Sequence, residues 1–213
     1  MIIAFDGNVF AGKTAVIGRF ASRIKANLID EHTFFVDKIK DEGKYSPALR
    51  EHFRYLRVDR LRRRMIKRGI NLLDRSFVSL SAHVYALYAA SGIDLREPHL
   101  EILEKLLRHK AIIIPDLYVF VSCERKIAKK RFLDDWRSGI GRRTPKLFIG
   151  KKYFSAVEKF NLGWQKEVNG CRIDPLKDKK FPFAGKNKDF ILPGKKMTSS
   201  KIINLTESIL FNK

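Results

Sequence analysis

The residues Gly7-Asn8-Val9-Phe10-Ala11-Gly12-Lys13-Thr14 satisfy the pattern GxxxxGK[ST] at every fixed position, and no other stretch constrains the chain as strongly. An apolar run, Ile2 to Phe5, precedes the pattern and ends at Asp6-Gly7. Behind it Val16, Ile17, Phe20, Ala21 and Ile24 recur at helical spacing. The pattern therefore lies between a buried strand and a helix. In that position the glycines let the backbone curl so that successive amides face a phosphate, and the helix adds its positive dipole end. Lys13 can reach the β and γ phosphates, and the Thr14 hydroxyl can ligate Mg²⁺. Gly7, Asn8, Val9, Phe10, Ala11, Gly12, Lys13, Thr14 and Ala15 are accordingly the expected nucleotide-binding residues, with ATP and Mg²⁺ as cofactors. Phe10 stands where most such loops carry a small residue; its side chain either crowds the phosphate or points outward.

The remaining pattern alternates strands and helices. Strands are expected at 2–5, 27–29, 70–73, 117–121 and 171–173. Helices are expected over 13–26, 47–68, 76–91, 98–110, 124–137, 151–166 and 199–211. Pro47 opens the long basic helix, and Gly69 and Gly92 follow two of the helices as C′ glycines. This order predicts an α/β fold, a parallel sheet covered on both faces, with ligands at the carboxyl ends of its strands. Asp6, Asp30-Glu31 and Asp74 all fall at such ends.

The length of 213 residues and the 45% hydrophobic content fit one domain with an appended lid. No apolar run reaches the 18 or so residues that span a bilayer, and the first residues lack a basic region of the signal-peptide kind. A cytoplasmic protein with no membrane partner is expected. Cys123 and Cys171, without a CxxC companion, read as reduced buried thiols. His32, His52, His83, His99 and His109 show no metal-ligand spacing and read as structural. The net charge of +21 attracts phosphates, and 22 of the 44 Lys and Arg fall within 125–201. Within that third, a Lys-rich stretch at 176–198 carries Phe181, Phe183 and Phe190, a composition suited to RNA or single strands. Its alternative is a surface loop pinned to the core by its Phe residues.

At the end of the third strand, Asp74 can hold Mg²⁺ through water and Arg75 can grip an acceptor phosphate or hydroxyl. Asp74 or Ser76 can also cap the helix that follows. With the phosphate loop, Asp74-Arg75-Ser76, Ser79, Ala82 and the run Pro115 to Val121, the chain resembles the thymidylate kinase and deoxynucleoside kinase branch of the P-loop kinases over about residues 1–165. The resemblance implies a P-loop NTPase three-layer α/β/α fold with a helical lid at about 137–152. It further implies transfer of the γ-phosphoryl of ATP to a nucleoside monophosphate (dTMP-like) or a deoxynucleoside. Substrate binding would fall to Asp6, Arg60, Arg75 and Ser79, with Asp59-Arg60 in the place of a base-facing Asp-Arg pair. Glu31 occupies the position of the general base that takes the proton of a sugar hydroxyl. Arg137 and Arg142, with Arg131 and Arg143, are the arginines of the lid. Lys13, Arg75, Glu31, Arg137 and Arg142 form the expected catalytic set, and Thr14 and Asp74 the metal ligands. A homodimer is one assembly open to such a chain. The other reading is a P-loop kinase homologue bound to RNA or a ribonucleoprotein through the basic C-terminal third, with little or no turnover. A polynucleotide 5′-end kinase would combine the two.

Overall fold

The computed structural model describes residues 1–41, 43, 45–139, 144–168, 171–173 and 197–211. Its sheet has five parallel strands, β1 (Ile2–Gly7), β2 (Asn27–Ile29), β3 (Asn71–Asp74), β4 (Leu117–Val121) and β5 (Cys171–Ile173), in the order β2-β3-β1-β4-β5. β1 is central, with Phe5 opposite Asp74 of β3 on one side and Gly7 opposite Val121 of β4 on the other. Side chains of successive strand residues point to opposite faces, so β1, β3 and β4 each feed two cores. Ile3, Phe5, Leu72, Leu117, Val119 and Val121 pack on one face, against Val16, Ile17 and Phe20 of α1 (Lys13–Ile24) and Ala128 of α6 (Arg125–Ser138). Ala4, Leu73, Tyr118 and Phe120 take the other face. There they meet α4 (Phe77–Ser91), α5 (Arg96–Arg108), α7 (Lys151–Val168) and α8 (Ser199–Phe211). The result is the three-layer α/β/α arrangement of a P-loop fold.

The long basic helix expected over 47–68 is interrupted. It comprises α2 (Pro47–Arg57), α3 (Asp59–Arg62) and a 3-10 turn at Arg63–Met65. The break is local: the Val58 amide donates to Tyr55 O, three residues back, which tightens the turn and changes the helical phase. The change turns Asp59 and Arg62 inward, where they are 1% and 0% exposed. The long basic helix thus sends one arginine, Arg62, through the core. Elsewhere the boundaries move by at most two residues; β1 runs on through Gly7, and α4 starts at Phe77 with Ser76 as its cap. The basic stretch at 176–198 lies outside the described residues, apart from Met197 and Thr198 at its end, as do Arg142 and Arg143 of the expected lid. Among the described residues no helix is long and apolar enough to cross a membrane.

Candidate active site

Parallel pairing brings the ends of β2, β3 and β1 side by side, and with them Glu31, Asp74 and the phosphate loop. Gly7 makes the close pairing with β4: its φ is +136, and a Cβ there would lie 2.0 Å from Val121 O. Gly12, at φ +95, is the N-cap of α1 and offers no side-chain cap to the first-turn amides, which leaves that helix end suited to an anion. Phe10 is partly buried and turned onto α6. Its ring meets Phe132 of α6 edge-to-face with centroids 5.6 Å apart, and its carbonyl accepts a hydrogen bond from Arg131 Nη1 at 2.9 Å. On the other flank of the loop Asn8, 1% exposed, donates from Nδ2 to Glu158 Oε1 at 2.9 Å and to Phe154 O at 3.3 Å. α6 and α7 thereby grip the loop from both sides.

Lys13 folds back along the loop and donates to Asn8 O at 2.6 Å and to Gly7 O at 3.2 Å. Burial, and secondly the charge of Arg75, lower its pKa to about 7. Phosphate oxygens would be stronger partners for this ammonium than two carbonyls. Next to it Thr14 Oγ1 donates to Asp74 Oδ2 at 3.2 Å. Among the described residues Asp74 Oδ1 is buried without a partner, and burial raises the pKa of the carboxyl. One hydroxyl and one carboxylate with an unengaged buried oxygen form a hard, all-oxygen donor set, which fits Mg²⁺.

Arg75 follows with φ +64, a conformation that costs a non-glycine residue about 1–3 kcal/mol. Its surroundings fix it there. The Arg75 amide donates to Phe5 O, and Arg62 Nη2 donates to the carbonyls of both Asp74 and Arg75 at 2.7 and 2.8 Å. The Arg75 side chain reaches across the strand ends, with Nε donating to Glu31 Oε2 at 2.8 Å. The other Glu31 oxygen accepts from the Thr33 hydroxyl at 2.5 Å. Burial pushes the Glu31 carboxyl up, but Arg75, the Thr33 hydroxyl and Lys13 outweigh it and bring the pKa to about 2. Glu31 is ionised at neutral pH, and its side chain stays 26% exposed at the rim of the loop.

The remaining expected residues divide. Asp6 shares the face of Ala4, and it is fully buried there. Its oxygens accept from the Ser76 amide (2.9 Å), the Ser76 hydroxyl (2.7 Å) and the Ser79 hydroxyl (2.6 Å). Asp6 and Ser79 are thus occupied in tying the start of α4 to β1. Ser76 also caps that helix by accepting from the Val78 amide at 3.1 Å. Arg60 is exposed on α3, on the opposite side from Arg62. Arg137 is exposed on the solvent side of α6 with Asp134 at 3.9 Å. Six helical residues separate Arg137 from Arg131, a rotation that carries the two to different faces.

Arg62 is the site residue that sequence reasoning missed. Besides the two carbonyls it donates from Nη1 to Asp59 Oδ1 and to His32 Nε2, both at 3.0 Å. Because a guanidinium only donates, His32 Nε2 accepts and the ring is neutral. Asp59 Oδ2 accepts from the Ile113 amide at 3.0 Å. Burial alone would raise the Asp59 pKa, but the Arg62 charge and the Ile113 amide hold it below the usual range.

Behind Arg75 lies a second polar group. His83 Nδ1 and Tyr153 Oη are 2.6 Å apart, and the His52 ring lies 6.5 Å from that of His83. His52 Nε2 bonds His99 Nδ1 at 2.8 Å, and His99 Nε2 bonds Ser81 Oγ at 2.8 Å. Burial holds His83 down to about 4, His99 to about 3 and His52 well below 6.5. In the unfolded chain these histidines take a proton near pH 6.5, whereas in the folded protein they resist it. Their stabilising contribution is therefore complete above pH 6.5 and is lost as the pH falls towards 4, at up to about 1.4 kcal/mol per histidine per pH unit. The urea midpoint is expected to drop steeply between pH 7.5 and pH 5, and less steeply in His99→Asn. Parallel titrations of the two proteins check this.

No family model and no curated protein matches the chain. Among solved structures it resembles a deoxyadenosine kinase from M. mycoides with bound dATP, at TM-score 0.58 and 16% identity over 82% of this chain and 91% of the other. A second structure of that enzyme, with products dCMP and a flexible dCDP bound, aligns over 100% of both chains at TM-score 0.55 and 17% identity. A thymidylate kinase from Candida albicans aligns over 99% of this chain and 91% of its own, at TM-score 0.50 and 13% identity. The chain has the fold of the deoxynucleoside and thymidylate kinases.

Proposed function

We propose that the chain transfers the γ-phosphoryl group of ATP to a hydroxyl of a deoxynucleoside. The observation that carries this reading is the Glu31–Arg75 pair at 2.8 Å on the rim of the phosphate loop. Arg75 is largely neutralised by Glu31, and an ionised Glu31 faces the space an acceptor would enter. A phosphate acceptor would meet a like charge there, whereas a hydroxyl acceptor meets a group that can take its proton. The solved kinases that the fold resembles include one described as a deoxyadenosine kinase, in agreement with such a substrate.

In this reading the loop amides and Lys13 hold the β and γ phosphates, and Lys13 exchanges its carbonyl partners for phosphate oxygens. Thr14 and Asp74 would hold Mg²⁺, which neutralises charge on the β and γ oxygens when bound. Arg75 positions Glu31 and donates to the acceptor. Arg131, fixed to Phe10 O at the mouth of the loop, is the described lid arginine nearest the triphosphate. Arg137, exposed on the solvent side of α6, takes no part in this reading, and Arg142 lies outside the described residues.

The test is incubation with Mg·ATP labelled at the γ phosphate and a panel of deoxynucleosides and nucleoside monophosphates. Label on a deoxynucleoside supports the reading; label confined to monophosphates shows that Glu31 has been misassigned. Glu31→Gln gives the same discrimination in one variant. For a hydroxyl acceptor kcat is expected to fall about 10²–10⁴-fold. For a monophosphate, whose oxygen carries no proton to remove, the fall would be far smaller.

A further inference from the structure

The outer face of α6 has no part in the site described above. Lys126, Lys129, Lys130, Leu133 and Arg137 are all exposed and recur at three- and four-residue spacing along one side of the helix. Trp136 flanks this stripe and is 46% exposed. The 3-10 turn at Lys146–Ile149 extends the same surface. Arg125 Nε donates to Ile149 O at 2.8 Å, and Lys146 Nζ sits 5.7 Å from the centre of the Trp136 ring. The acids described on α6 and its cap are three: Glu124 pairs with Lys126, Asp134 lies beside the stripe 3.9 Å from Arg137, and Asp135 is half-buried on the far side of the helix. Among the described residues no acid lies within ion-pair distance of Lys129, Lys130 or Lys146.

We propose that this face of α6 and the adjoining 3-10 turn dock a single-stranded nucleic acid, with the lysines on successive phosphates and Trp136 stacking on an unpaired base. Row spacing on a helix suits phosphates that follow one another along a strand, and an exposed indole beside cations is the usual platform for a base. A lipid surface fits less well. The apolar side of α6, Ala128 and Phe132, is buried in the core, so only Leu133 and Trp136 remain to enter a bilayer. A duplex fits less well too, because its bases are stacked on one another and Trp136 would have nothing to hold. The surface lies inside the basic C-terminal third from which nucleic-acid binding is expected, but on α6 rather than on the Lys-rich stretch at 176–198, and the proposal is independent of the kinase reading.

The test is fluorescence anisotropy with a labelled oligo-U, the duplex form of an oligonucleotide of equal length, and anionic phospholipid vesicles as competitor, across a range of KCl. The wild-type chain is expected to bind the single strand with a log–log salt slope of about −2 to −3, as three or four phosphate contacts require. Lys129→Glu/Lys130→Glu is expected to weaken binding at least about tenfold and to flatten the slope. Trp136→Ala is expected to weaken it about fivefold or more while leaving the slope unchanged. A circular dichroism melt confirms that each variant is folded, and in the wild-type chain quenching of Trp136 emission by the oligonucleotide reads the stacking contact without any substitution. Wild-type affinity in both variants, equal affinity for the duplex, displacement by vesicles at lower phosphate concentration than by free strand, or no quenching would each overturn the proposal.

Discussion

Arg62→Ala is expected to lower the thermal midpoint by about 10 °C and to remove most phosphoryl transfer. Removing one member of a buried ion pair costs about 3–5 kcal/mol, because the partner charge is left without compensation, and about 2–4 °C accompany each kcal/mol in a chain of this size. Here the abandoned partner is Asp59, 1% exposed, which retains the Ile113 amide but loses its cation. Two carbonyls lose their donor at the same time, those of Asp74 and Arg75. That turn holds Arg75 at φ +64 and keeps its side chain on Glu31. With the turn released, Arg75 can relax to an ordinary backbone conformation and leave the strand ends. Lysine does not rescue the variant: a single ammonium cannot reach two carbonyls, a carboxylate and an imidazole in the planar geometry of a guanidinium. Differential scanning calorimetry and an initial-rate assay on the same preparation measure both effects.

Lys13→Ala separates catalysis from folding. Its kcat is expected to fall at least about 100-fold, the order seen when one preorganised donor to a developing charge is lost. Its thermal midpoint in the absence of nucleotide is expected to stay close to that of the unsubstituted chain. Lys13 is buried and its pKa is lowered to about 7, so its charge gives the empty protein little stability. A variant that folds normally and transfers nothing locates the loss in the phosphate site, whereas Arg62→Ala loses both together. The two melts and the two rates, compared side by side, check the distinction.

The parts of the site that the sequence reveals are those whose signal is local. The phosphate loop is contiguous, lies between an apolar strand and an amphipathic helix, and needs no tertiary information. Glu31, Asp74 and Arg75 follow apolar runs directly, and parallel pairing brings strand ends together whatever the strand order. Arg62 stayed hidden because its neighbours Arg60, Arg63 and Arg64 give the segment the look of a solvated cationic helix. The deciding event is the tightened turn at Val58, which alters the helical phase, and one residue of phase decides between solvent and core. Asp6 shows a different limit. Its place at a strand end suggests a ligand, but strand alternation puts it on the face of Ala4, where Ser76 and Ser79 consume its oxygens. Counting the period of two through β1 would have found this. The link from His52 to His99 spans 47 residues and joins α2 to α5, so no local pattern carries it. Arg131 and Arg137 differ only in rotation about one helix, and the contact of Phe10 with Phe132 fixes which of them faces the loop.

The claim beneath the whole account is that the curled backbone between β1 and α1 binds the phosphates of ATP. Calorimetric titration of the chain with a magnesium complex of a non-hydrolysable ATP analogue measures that directly, with Lys13→Ala as the matched control. The account predicts saturable binding at one site per chain that Lys13→Ala weakens by about tenfold or more. Heats that never saturate, or an affinity that Lys13→Ala leaves untouched, would contradict it.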